Sequence, residues 1–236
     1  MRMVDRGGQS PALRVLTPGV PVRAVALVLH GGAQHGLTTV RPWGLAYLRM
    51  VALARGLLAA GGRSGLEVCL LRNRVRGWNE PMLHPVLDAR WALDRVRARR
   101  PGLPVVLVGH SMGGRVALRI ADDPAVAGSC ALAPWTPRAE PVEPVTGRSV
   151  LIAHGTHDTI TPAEDSHDYA VRAAAVAARV ARFEIASEGH AMLRRPGPWS
   201  RLVAEFTIHT AGLGPAGDLL TRAWTGSGAG RFRVPL

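Results

Sequence analysis

The chain contains no lysine, so arginine carries all of the basic charge behind its formal net charge of +12. Together with abundant alanine, glycine, proline and valine, this looks like a bias toward GC-rich codons. The arginines are scattered along helix-like segments, with no nucleic-acid-binding module and no interleaving of aromatic with basic residues. The charge is therefore read as incidental surface charge, with no nucleic-acid partner expected. Cysteine is nearly absent as well: Cys69 and Cys130 each lie in an apolar strand-like run and read as small core residues, which fits a reducing compartment. No Cys/His/Asp cluster has metal-ligand spacing, so neither metal nor cofactor is expected. Arginine, glycine or proline interrupts every apolar run, and the first eight residues lack the apolar centre of a secretory signal. A cytoplasmic protein without a membrane partner is the expectation.

What is present is alternation. Strand-like runs are expected at 12–16, 22–29, 66–71, 104–109, 126–133, from 149 onward, and at 182–185. Helical patterns separate them at 43–60, 85–100, after Ser111 to about 122, 162–180 and 199–211, with a short turn of helix possible at 218–224. Strands alternating with helices predict an α/β fold, a mostly parallel central sheet with helices on both faces. The length suits a single domain over 1–236, with a loose arm at 1–11 and a tail at 212–236 that carries no chemical signature.

Active groups in such folds gather at the carboxyl ends of the strands. Here those ends carry His30-Gly31-Gly32, then Gly109-His110-Ser111-Met112-Gly113, then Asp158, then His190. Gly-x-Ser-x-Gly between a buried strand and a helix has the spacing of a nucleophile elbow, in which a strained turn pushes the serine hydroxyl above the sheet. Taken alone the pentapeptide also fits a βα turn with an N-cap serine. A serine hydroxyl becomes a useful nucleophile near neutral pH only when an imidazole takes its proton, and the imidazole needs a carboxylate on its other nitrogen. Ser111, His190 and Asp158 supply those three roles. The amides of Met112 and Gly32, with Ala33 as the alternative to Gly32, are the candidate oxyanion donors.

At these residues the chain resembles the alpha/beta hydrolase superfamily, over about 12–211. The resemblance rests on His30-Gly31-Gly32, Gly109-His110-Ser111-Met112-Gly113-Gly114, His154-Gly155-Thr156-His157-Asp158 with Thr161-Pro162, and Glu188-Gly189-His190. It implies Ser111, Asp158 and His190 as catalytic triad. Asp165 and Asp168 fall within the following helix and read as solvated charge. His154 and His157 read as loop packing, His30 as a support of the oxyanion loop, and His110 as too close in sequence to serve Ser111 as base. His35, His84, His167 and His209 read as surface or packing residues.

Between Trp135 and Ser149 the chain has only a short connection dotted with Pro137, Pro141 and Pro144, too short for a helical cap. An open site is expected, lined by Trp78 and Trp135, with Trp43 a further candidate. The loop after the third strand carries Arg72, Arg74 and Arg76, any of which could bind an anionic acyl or leaving group, Arg74 and Arg76 foremost. The expected activity is cofactor-independent cleavage of a small-molecule carboxylic ester or thioester through an acyl-enzyme. The alternatives are acyl transfer on the same residues, or a non-catalytic ligand-binding protein of the same fold. A haloalkane-dehalogenase reading is disfavoured because that branch has an aspartate where this chain has Ser111.

Overall fold

In a computed structural model, which describes residues 10–194, 196–228 and 230–236, eight strands form one sheet in the order β1-β3-β2-β4-β5-β6-β7-β8. The elements are β1 (Ala12–Leu16), β2 (Ala24–Leu29), α1 (Leu45–Gly61), β3 (Leu66–Arg72), α2 (His84–Arg99), β4 (Val105–His110), α3 (Met112–Arg119), β5 (Val126–Leu132), β6 (Ser149–Gly155), α4 (Ala163–Ala173), β7 (Arg179–Ile185), α5 (Pro196–Thr210), α6 (Asp218–Thr225) and β8 (Val234–Pro235). Only β1, at one edge, runs antiparallel to its neighbour. Most of the arm expected at 1–11 lies outside the described residues.

The strands are apolar on both faces because both faces are covered. Along β2, Ala24, Ala26 and Val28 join the core beneath α1, α5 and α6, while Val25, Leu27 and Leu29 join the core beneath α2, α3 and α4. Helix α1 buries Tyr47, Met50, Val51, Ala54 and Leu57 at helical spacing and leaves Arg55 exposed. With the turn that follows it, this is the one helix among the described residues long and apolar enough to cross a membrane, at a mean hydropathy of 1.3. The expectation that no apolar run qualifies is corrected on that point; the buried face of α1 packs on β3 and α5.

Two other expectations change. The helix expected over 162–180 stops at Ala173, and Arg179 already pairs with Ser149 of β6. Val180 and Phe183 are buried strand residues, so sheet pairing overrides the helical propensity of the alanine-rich stretch. The tail provides α6 and a short eighth strand, in which Val234 pairs with Phe183.

The chain leaves β2 toward β3 on one side, and leaves β4 toward β5 on the other. The carboxyl ends of β2 and β4 therefore flank the point where the winding reverses, the crevice where open α/β sheets place their ligands. At that point α3 is driven close to the sheet. A Cβ on Gly109 would overlap the Gly113 carbonyl, and one on Gly113 would overlap the Leu29 carbonyl. Gly56, on an exposed turn of α1, has nothing within 4 Å of such a Cβ. The same substitution should act in opposite directions at the two positions. Gly109→Ala should lower stability by about 1–3 kcal/mol or more through backbone overlap, while Gly56→Ala should raise it by about 0.5–1 kcal/mol. Urea unfolding of the two variants beside the parent chain checks both signs.

Candidate active site

Ser111 follows β4 directly, at φ 56° and ψ −121°. That conformation is costly for a residue with a Cβ, and it is held by bonds on both sides. The Ser111 amide donates to the Leu132 carbonyl at 2.9 Å, and the Ser111 carbonyl accepts from the Arg115 amide at 3.1 Å and the Trp135 amide at 3.3 Å. The turn aims the hydroxyl at His190, whose Nε2 lies 2.9 Å from Ser111 Oγ. On the other edge of the ring, Nδ1 donates to Asp158 Oδ2 at 2.8 Å. Three side chains from the ends of three strands thus form one hydrogen-bonded chain.

Asp158 is the most heavily bonded member. Besides His190, its Oδ2 accepts from His154 Nε2 at 3.1 Å and Thr161 Oγ1 at 2.9 Å, while Oδ1 accepts the amides of Ile160 at 2.8 Å and Thr161 at 3.0 Å. Burial by itself would raise this carboxyl. The hydrogen bonds from His154, Thr161, His190 and Ile160 outweigh burial and hold it far below the usual carboxylate range. It is therefore a fixed anion, able to hold the His190 tautomer and to stabilise an imidazolium.

The loops bearing Asp158 and His190 are stitched together: the His157 amide donates to the Glu188 carbonyl at 2.8 Å, and the Ser187 amide donates to Thr156 Oγ1 at 3.0 Å. From the other side, His110 Nε2 donates to the His190 carbonyl at 2.8 Å, and His110 Nδ1 faces Arg49 Nη1 at 3.4 Å. His110 thus does not serve Ser111 as base, as its sequence position implied. It pins the loop that carries His190.

The glycine-rich loop after β2 closes the site. His30 Nδ1 donates to the Gly31 carbonyl at 2.7 Å, and Nε2 accepts the Asn73 amide at 3.1 Å. A Cβ on Gly31 would sit 3.3 Å from Ser111 Cβ, and one on Gly32 would overlap the Met112 side chain and the Arg76 carbonyl. The Ala33 amide donates to the Arg76 carbonyl at 3.1 Å. The Gly32 and Met112 amides form no hydrogen bond among the described residues.

A family model described as an alpha/beta hydrolase domain matches residues 72–190, a span that includes Ser111, Asp158 and His190. The chain belongs to the alpha/beta hydrolase family. Solved structures share the fold of this hydrolase at low identity. An alpha-beta serine hydrolase homologue from Coxiella burnetii is 17% identical, with 83% of this chain and 91% of that one covered at a TM-score of 0.64. Est1E from Butyrivibrio proteoclasticus, solved with bound ferulic acid, is 14% identical, with 86% and 96% covered at 0.65. A monoacylglycerol lipase from Paleococcus ferrophilus is 15% identical, with 84% and 99% covered at 0.61. No curated protein sequence matches the chain.

The hydrolase places the remaining expected contacts unevenly. Arg74 is bound to Asp88 through both its guanidinium and its amide, and Arg72 Nη1 donates to the Val40 carbonyl at 2.7 Å. Trp78 is 1% exposed, sits 4.0 Å beneath the Arg115 guanidinium and donates to Glu80 at 3.1 Å, so it is core and not an exposed wall. Arg74 and Trp78 are thereby taken away from the substrate-binding role expected of them. Trp135 is half-buried, against Trp78 and the Ser111 backbone. Arg76 and Trp43 are exposed and line a cavity of about 610 Å³ that includes His30, Gly31 and Gly32. A slightly larger cavity, about 640 Å³, lies at the opposite edge of the sheet beside Pro104 and Val126, away from Ser111. Asp165 and Asp168 lie on α4, as expected of solvated charge. Between Trp135 and Ser149 there is only a short 3-10 turn at Glu143–Val145, and no large cap.

Two histidines of this region are kept neutral. Burial pushes His30 down to about 4 and His110 down to about 3, from an ordinary 6.5. In the unfolded chain both take up a proton as pH falls below about 6.5, whereas the folded forms resist until near those lowered values. The unfolded state then binds more protons, so stability should fall as pH drops from about 6.5 to 4, by about 1.4 kcal/mol per pH unit for each histidine. Asp158 acts mainly below that window, since its contribution is lost as pH falls from the ordinary carboxylate range toward its lowered value. Urea midpoints across this range, with His110→Asn removing one of the two contributions to the slope, check the assignment.

Proposed function

We propose that this protein is a serine hydrolase that cleaves a carboxylic ester or thioester through an acyl-enzyme. The observation that carries the reading is the unbroken Ser111–His190–Asp158 chain, with the serine in a strained turn and its hydroxyl on the imidazole. In the forward half-reaction His190 Nε2 takes the hydroxyl proton as Ser111 Oγ bonds to the substrate carbonyl carbon. The carbonyl oxygen becomes an oxyanion held by the Met112 and Gly32 amides, which have no other acceptor among the described residues; the Ala33 amide is engaged by Arg76. The intermediate collapses, the bond to the alcohol or thiol breaks, and His190 returns the proton to that leaving group.

Water then enters on the same face and gives its proton to His190. Its oxygen bonds to the acyl carbon, and the acid departs as Ser111 recovers its proton. Asp158 stays ionised throughout, stabilising the imidazolium that forms twice per turnover. No cofactor is needed for any of these steps, and a small-molecule substrate is the only partner the reading requires. Est1E and the monoacylglycerol lipase, both of the same fold, lend the esterase reading support by analogy of fold alone.

A fluorophosphonate probe should label the wild-type protein and leave Ser111→Ala unlabelled. With para-nitrophenyl butyrate as substrate, Ser111→Ala and Asp158→Asn should each lose on the order of 10³-fold or more in kcat. Equal labelling of wild type and Ser111→Ala would overturn the reading in favour of a non-catalytic binding protein.

A further inference from the structure

The cavity beside the glycine-rich loop has an unusual lining. It is walled by Gly31 and Gly32, by the first turn of α1 from Gly44 to Tyr47, and by Trp43, Arg41 and Arg76, and no carboxylate among the described residues contributes to it. Arg41 and Arg76 are exposed and form no ion pair among the described residues, although this chain neutralises many of its arginines. Arg72 lies behind the same wall, donating to the carbonyl of the lining residue Val40. His30, also in the lining, is kept neutral by burial and carries no charge of its own there. The cavity adjoins Ser111 through its lining residue Gly31, where a Cβ would sit 3.3 Å from Ser111 Cβ. A positive cavity with no acid in its described lining, set beside a nucleophile, favours substrates that carry a negative charge of their own.

We propose that the substrates of this site are anionic: esters or thioesters bearing a carboxylate or phosphate that Arg76, with Arg41, holds in this cavity while the carbonyl lies on Ser111. Trp43, at the rim, covers the apolar stem that joins the anion to the carbonyl. The inference rests on Ser111 acting as an esterase nucleophile. It assigns the specificity to Arg76 and excludes Arg74, which Asp88 already neutralises.

The test compares matched esters. Para-nitrophenyl hemiglutarate against para-nitrophenyl pentanoate places the charge on the acyl side, and para-acetoxybenzoate against its methyl ester places it on the alcohol side. On one of the two sides the anionic ester should have the higher kcat/KM, which identifies the part of the substrate that occupies the cavity. For that pair Arg76→Ala should lower the anionic-to-neutral ratio on the order of tenfold, as expected for loss of a charge-assisted hydrogen bond. Arg76→Lys should restore part of the ratio and Arg76→Glu should invert it. A ratio that does not move in Arg76→Ala and Arg76→Glu overturns the inference. If the neutral esters are cleaved by wild type and not by Ser111→Ala, the esterase reading survives that failure. If no ester is cleaved, the cavity is judged by binding alone. Glutarate, and not uncharged glutaramide, should then change tryptophan emission in wild type but not in Trp43→Phe, with Arg76→Ala weakening glutarate on the order of tenfold. No response to glutarate overturns the inference as well.

Discussion

A side chain at position 109 or 113 would collide with backbone, at the Gly113 carbonyl in one case and at the end of β2 in the other. That steric constraint governs the geometry of the whole elbow. With hydrogens at both positions, α3 starts immediately after β4 and sits against the carboxyl end of β2. The connecting residue can satisfy the short path only with positive φ, which is why Ser111 stands proud of the sheet while its backbone stays bonded to β5 and α3. The same closeness puts the first amide of α3 beside the loop after β2. Gly32 must then be glycine as well, because the Met112 side chain occupies the space a Cβ would need.

Around this rigid centre the other two members are held by polar bonds and not by apolar packing. Asp158 satisfies both oxygens with five donors, and the loops after β6 and β7 are tied into one piece by shared backbone bonds. His110 links that piece back to the elbow through the His190 carbonyl, so the His190 ring is referenced to the strand that leads into Ser111. Burial supports this directly. A neutral His110 has a single ring proton, and the carbonyl of His190 takes it; a charged ring would place a second donor opposite Arg49.

The main lines of this arrangement were legible in the chain because they stem from period and order: buried strands, intervening helices, and polar residues at the strand ends. Ser111, Asp158 and His190 converge for that reason. The supports were not legible. His154 and Thr161 bond to the acid across short loop spans, with no signal but their nearness to it, and the partner of His110 is 80 residues away in sequence. Arg74 and Trp78 show the opposite limit. A place just after a strand puts a residue at the right edge of the sheet but says nothing of the direction of its side chain, which Asp88 and Arg115 decide here. The end of α4 and the two-residue β8 depend on pairing with neighbours, a non-local term that local propensity does not contain.

The arginine-only basic composition looks featureless until the partners are traced. Arg99 and Arg100 close on the buried Glu67, Arg115 and Arg119 on the buried Glu140, and Arg182 lies buried against Glu184 and Ser166. Each such contact screens its arginines locally, although two guanidinium groups share one carboxylate at Glu67 and again at Glu140. The net +12 is what remains when 17 acidic residues are set against 29 basic ones, so what a ligand meets depends on where that excess lies. Part of that excess lies beside Ser111, where the cavity lining has guanidinium groups and, among the described residues, no carboxylate. An approaching anion meets there a field that no acid of the described lining offsets, and the partial positive charge at the N-terminus of α1 adds to it. A surface bias set by base composition can become a selective feature in this way, without any arginine having to enter the reacting chain.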